Sequence, residues 1–88
     1  MDKYVKYDEV HDIIIRMAGA KMRLNAHKGQ IEDVDPDKLY AMLQEEVNEL
    51  GTAMEKADIM HIIEEAGDIF NFLVGVVHQQ ITLYRMRK

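Results

Sequence analysis

Glu45-Glu46-Val47-Asn48-Glu49-Leu50 and, nineteen residues on, Glu64-Glu65-Ala66-Gly67-Asp68 are the stretches from which the rest of this chain is read. Each sets two acids three residues apart, Glu46 with Glu49 and Glu65 with Asp68. On a helix that spacing puts both acids on one face. Four carboxylates converging from two helices repel one another unless a cation lies between them. Hard divalent cations such as Mg²⁺ take oxygen ligands of this kind and bind beside phosphates.

Rotation by about 100° per residue decides which acids face inward. With Leu39 as origin, Leu43, Val47, Leu50, Met54 and Ala57 spread from 0° to about 80°. Glu46 falls inside the apolar arc at about 340°, Glu49 on its edge at about 280°, and Glu45 outside it at about 240°. With His61 as origin, Glu65 falls at about 40°, between Phe72 and Val76. Asp68 borders that wall at about 340°, and Glu64 faces further out at about 300°. An ionised Glu among apolar side chains costs several kcal/mol, of order 2 or more, unless something compensates it. With sixteen acids in 88 residues, Glu-x-x-Glu pairs also arise by chance; the inward placement sets these apart.

Outward from these stretches the pattern is helical throughout. Val10, Ile13, Ile14, Met17, Ala20, Met22 and Leu24 recur mostly at three and four, which predicts a first helix over about residues 8–26, after an extended or frayed start. Gly19 either weakens that helix or lets a neighbour come close. Gly29 reads as its left-handed C-cap, with His27 and Lys28 suited to the C-terminal dipole. After an acidic loop, Asp35-Pro36 reads as N-cap and first helical position of a second helix, about residues 36–57. Asp58 caps a third, about residues 59–83, before a basic tail, Tyr84-Arg85-Met86-Arg87-Lys88. Asp33, Asp35 and Asp37 do not make a calcium loop, because Lys38 and Gln44 stand where glycine and Glu are needed. The expected fold is all-α: one domain over residues 1–88, its three long helices forming a four-helix-bundle-type core completed by oligomerisation.

Composition narrows the classes. The chain has no cysteine, which excludes disulfides and thiolate metal sites and fits a cytoplasmic protein. A formal charge of −5 argues against nucleic acid and anionic membranes as partners. No apolar run approaches the roughly 20 residues that span a bilayer.

Glu46-Val47-x-Glu49-Leu50 followed by Glu65-x-x-Asp68 resembles the E-x-x-E…E-x-x-D signature of MazG-like, all-α nucleoside triphosphate pyrophosphohydrolases. Asn25-Ala26-His27-Lys28-Gly29 and Asp68-Ile69-Phe70-Asn71-Phe72 are similar to segments of the small phage-type members, in matching order over about residues 17–77. Similar phage proteins carry an aromatic residue after His-Lys-Gly, where this chain has Gln30-Ile31. The resemblance implies hydrolysis of a (deoxy)nucleoside triphosphate to monophosphate and pyrophosphate, dependent on Mg²⁺ with Mn²⁺ able to substitute. It implies a homodimer or homotetramer, acting in a cytoplasm that for a phage-encoded protein is the host's. Carried over by position, Glu46, Glu49, Glu65 and Asp68 hold the metal, and one of the glutamates, such as Glu49, orients or deprotonates the water. Lys28 and Lys21 meet phosphate oxygens, and Asn71 and Asn25 hydrogen-bond the nucleotide or a ligand carboxylate.

Two other classes stay open at this point. A di-iron or di-manganese carboxylate bundle would pair glutamates with Glu-x-x-His segments, and neither acidic pair ends in histidine. A non-catalytic helical adaptor would use the acidic face for a protein partner. His61, four residues before Glu65, reads as a partner of that acid rather than a ligand, since imidazole suits softer metals. The methionines read as adaptable core filler, some lining a base pocket.

Overall fold

The structure is a computed structural model and describes residues 2–87, apart from the side chain of Glu32. It holds three α-helices, α1 (Val5–Leu24), α2 (Pro36–Glu55) and α3 (Ile59–Met86), and no strand among the described residues. The all-α expectation is met. Met1 and Lys88, at the ends of the expected frayed start and basic tail, lie outside the described residues.

Helix ends depart from the sequence reading in instructive ways. The first helix starts at Val5 rather than near residue 8, because the Asp2 carboxylate accepts the Tyr4 N–H at 2.8 Å and Tyr4 stacks obliquely on Tyr7. It stops at Leu24, and Ala26–Lys28 wind as a 3₁₀ turn. Gly29 has φ 93° and ψ −174°, so it closes that turn and not α1, in a region only glycine readily enters. A second 3₁₀ turn, Ile31–Asp33, occupies the acidic loop. Pro36 stands at the start of α2, but the Asp35 side chain makes no capping bond; only its carbonyl receives the Leu39 N–H, at 2.8 Å. The second helix ends at Glu55, where Asp58 N donates to Ala53 O and Ala57 N to Met54 O. That is a Schellman closure with alanine, at φ 52°, in the place glycine favours. Asp58 caps α3 as read from the sequence: its Oδ1 accepts the His61 N–H at 3.2 Å.

The third helix is the shared element. It packs along both α1 and α2, which hardly touch each other among the described residues. Two glycines set its distances. A methyl group at Gly67 would sit 2.8 Å from Met17 Cγ and 3.1 Å from Ala18 N, so α1 and α3 approach backbone to side chain there. Asn71 Nδ2 donates to Ala18 O at 2.8 Å beside that contact. One turn on, Gly75 leaves the notch that the Ile31 side chain fills, and Gln79 Nε2 donates to Val34 O at 2.6 Å. The loop before α2 is thereby strapped onto α3. Gly19 plays no such part: its nearest neighbour is Arg23, on its own helix.

The buried apolar core of the single chain is small: Ala18, Leu39 and Ala53. Phe70, Leu73, Val74, Val77, Ile81 and Tyr84 form an exposed stripe along α3 at helical spacing, flanking the face that carries Gly67, Asn71 and Gly75. Val10 and Ile13 of α1, and Val47 and Met54 of α2, are also exposed. No helix of the described residues is long and apolar enough to cross a membrane.

Candidate metal and nucleotide site

The helices bring three of the expected acids together. Single carboxylate oxygens of Glu46, Glu49 and Glu65 lie within 4.8 Å of one another between α2 and α3. Glu65 is buried at 6% exposure, Glu46 is half-buried and Glu49 sits exposed at the rim. Glu45 is exposed, as its rotation implied.

This cluster is poorly satisfied by the protein. Glu46 hydrogen-bonds Glu65. Yet Glu46 Oε2 and Glu65 Oε2 are both buried without any hydrogen-bond partner. Among the described residues, no donor of the protein reaches either of these two oxygens. Burial, then the hydrogen bond to Glu65, then the charges of Glu49, Asp68 and Glu65 push the Glu46 carboxyl up from 4.5 to about 8. A proton thus relieves the repulsion that a cation would otherwise relieve.

Asp68 is the fourth expected acid and stands apart from the three. Its Oδ2 pairs with Lys21 Nζ at 3.2 Å, both side chains being largely shielded. Burial opposes the charge on Lys21, but the Asp68 hydrogen bond and the charges of Asp68, Glu64 and Glu65 outweigh it and raise the lysine's pKa. Asp68 remains close enough for its charge to act on Glu46.

A cleft of about 740 Å³ opens beside the acids. Glu46, Asp68, Asn25, Lys28 and Asn71 line it, so five of the eight expected site residues share one wall system. Lys28 is exposed and lies toward solvent in the 3₁₀ turn. Asn25 Nδ2 donates to Lys21 O at 3.0 Å, and Asn71, 8% exposed, gives an amide hydrogen to Ala18 O. Both amides are thus held in place with their oxygens left to offer. The rest of the lining is mostly apolar, including Met22, Ile31, Met42 and Phe72, with His78 a polar exception. Sequence reasoning missed Ile31, Val34 and His78 as cleft residues. Gly67-x-x-x-Asn71-x-x-x-Gly75, one small or polar residue per turn on one face, was the legible sign that α3 meets other chain segments closely.

The donor set fits a hard divalent cation, since it is all carboxylate oxygen with two buried lone edges. It does not fit the di-iron pattern, because His61 lies outside the cluster and binds Glu65 Oε1 instead, at 3.1 Å. No curated protein and no solved structure matches the chain. The family described as phosphoribosyl-ATP pyrophosphohydrolase does match, over residues 7–88, which takes in Glu46, Glu49, Glu65, Asp68, Lys21, Lys28 and the cleft. The chain belongs to that family, one of the MazG-like, all-α nucleoside triphosphate pyrophosphohydrolases.

Proposed function

We propose that the protein hydrolyses a (deoxy)nucleoside triphosphate between the α and β phosphates, giving monophosphate and pyrophosphate, with Mg²⁺ as the preferred cation and Mn²⁺ as a substitute. The observation that carries this reading is the pair of buried, partnerless oxygens on Glu46 and Glu65, set beside Glu49 and a nucleotide-sized cleft. Glu46, Glu49 and Glu65 would hold the cation, with Asp68, one turn further along α3, as the fourth carboxylate. A divalent ion held there would supply charge neutralisation of the phosphates and polarisation of the α-phosphorus.

The chain's own residues supply the rest. Lys28, and Lys21 beside Asp68, would meet phosphate oxygens as point charges. Asn25 and Asn71 orient the nucleotide through their free amide oxygens. Glu49, the most exposed of the cluster, accepts a proton from the attacking water as its oxygen bonds to the α-phosphorus. The bond from that phosphorus to the bridging oxygen breaks, and pyrophosphate leaves with the electron pair. Fixed positions and fixed charges account for most of the acceleration.

The exposed stripe on α3 and the small core support a homodimer or homotetramer in which a second copy covers that stripe. Residues 1–88 act as one domain, and the cysteine-free chain suits a cytoplasmic setting. The test is product identification. Purified protein with Mg²⁺ is given each common and modified triphosphate, together with phosphoribosyl-ATP, the compound in the family's description. Monophosphate and pyrophosphate from any of them is the expected result. Diphosphate and orthophosphate, or no turnover throughout, overturns the reading.

A further inference from the structure

We propose that His61 is a positioning residue for Glu65: by holding one oxygen of that carboxylate it aims the other at the bound cation. The inference rests on the metal site described above and gives a purpose to the contact between His61 and Glu65.

The geometry is local and well braced. His61 Nε2 lies 3.1 Å from Glu65 Oε1, four residues on along the same helix face. Its backbone is fixed in turn, since the Asp58 carboxylate accepts the His61 N–H at 3.2 Å and the Asp58 carbonyl accepts the Ile62 N–H at 2.9 Å. The histidine is therefore presented from the first turn of α3 by a capped, hydrogen-bonded end.

A carboxylate that ligates a cation is ionised and can only accept, so Nε2 carries the hydrogen in the bond to Oε1. The terminal torsion of a glutamate is broad and roughly two-fold. Fixing Oε1 therefore fixes the direction of Oε2, the buried oxygen that no protein group satisfies. Among the described residues, the other partner of the Glu65 carboxyl is Glu46, on α2 and itself a member of the acidic cluster. The outer edge of the ring faces solvent, the side chain being 41% exposed, so the imidazole is free to be replaced without opening a cavity. Partners of this kind on ligating carboxylates change metal affinity or activity by about 10- to 100-fold when removed.

The experiment compares wild type with His61→Ala and His61→Gln. Alanine removes the donor while favouring the helix; glutamine restores an N–H of similar reach. Mn²⁺ binding is titrated calorimetrically without nucleotide, and thermal melting in EDTA checks the fold. The expected result is Mn²⁺ binding about 10- to 100-fold weaker in His61→Ala, with an unchanged melt in EDTA and substantial recovery in His61→Gln. In turnover, half-saturating Mg²⁺ rises for the alanine variant while kcat at saturating Mg²⁺ is kept. Wild-type affinity in His61→Ala overturns the proposal, and so does an equal loss in both variants. Failure of wild type itself to bind Mn²⁺ overturns the metal site beneath it, a separate and recognisable outcome.

Discussion

The seam between α1 and α3 and the seam between α2 and α3 share one helix and treat polar groups in opposite ways. Where α1 meets α3, the space is used up: Gly67 admits Met17 and Ala18, and Asn71 satisfies the Ala18 carbonyl. Where α2 meets α3, two buried carboxylate oxygens have no partner and their neighbours are also acids. The first arrangement contributes stability, and the second spends it on a site for something the chain does not supply. Glu65 and Gly67 are two residues apart, so the division runs around the circumference of α3 and not along its length.

Substitutions at the two seams are expected to separate activity from stability. The largest effect belongs to the acidic seam. Glu46→Gln, and likewise Asp68→Asn on the flank of α3 that faces Lys21, lowers pyrophosphate release by about 10²- to 10³-fold or more, as expected for loss of a fixed charge at the reacting centre. Glu46→Gln also melts no lower than wild type in EDTA, since it removes an acid from a crowded cluster. Activity retained in both variants would erase the functional half of the contrast.

Gly67→Ala probes the other side. Its methyl group would meet a backbone nitrogen at 3.1 Å, which a rotamer change cannot relieve. The expected cost is about 1–3 kcal/mol from overpacking, partly offset by alanine's better helix propensity of about 1 kcal/mol. A lower melting temperature with normal kcat in the folded fraction supports the contrast; lost catalysis without lost stability breaks it.

The acidic seam should also show itself in pH. Glu46 titrates near 4.5 in an unfolded chain and at about 8 in the fold, so the metal-free native state holds more protons between those values. That stabilising contribution is complete below the lower value and disappears as pH climbs through the upper one. Melting curves in EDTA should therefore fall from acid toward pH 8, and the increment given by Mg²⁺ should grow over the same interval, because the cation displaces the proton. A Mg²⁺ increment independent of pH would place the proton elsewhere.

The smallest effect is a control outside both seams. Ala57→Gly relieves the positive φ at the end of α2 and raises stability by up to about 1 kcal/mol, with no change in kcat. A kinetic effect there would mean that the turn after α2 communicates with the acids.

Much of this division was legible in the sequence, for reasons particular residues make clear. Rotation alone put Glu46 and Glu65 inward and Glu45 outward, because helix geometry is rigid over the few residues involved. The Asp58 cap was legible because capping is local. The pairing of Asp68 with Lys21 was not, since it depends on how closely α1 and α3 approach, and Gly67 rather than Gly19 decides that. Nor was the wall of the cleft: Ile31 and Val34 reach α3 only through contacts some forty-five residues distant in sequence, as in the bond from Gln79 to Val34. The exposure of Val47 and Met54 likewise departs from the apolar arc drawn from periodicity, since one chain has too few helices to cover it.

The strap formed by Ile31 in the Gly75 notch and Val34 against Gln79 has a consequence for how such a protein diversifies. Its two anchor points pin the segment, while Gln30, beside them, lines the cleft without serving as an anchor. On the proposed function, an exchange at Gln30 would alter which nucleotide the cleft accepts while the carboxylates of α2 and α3 stay where they are.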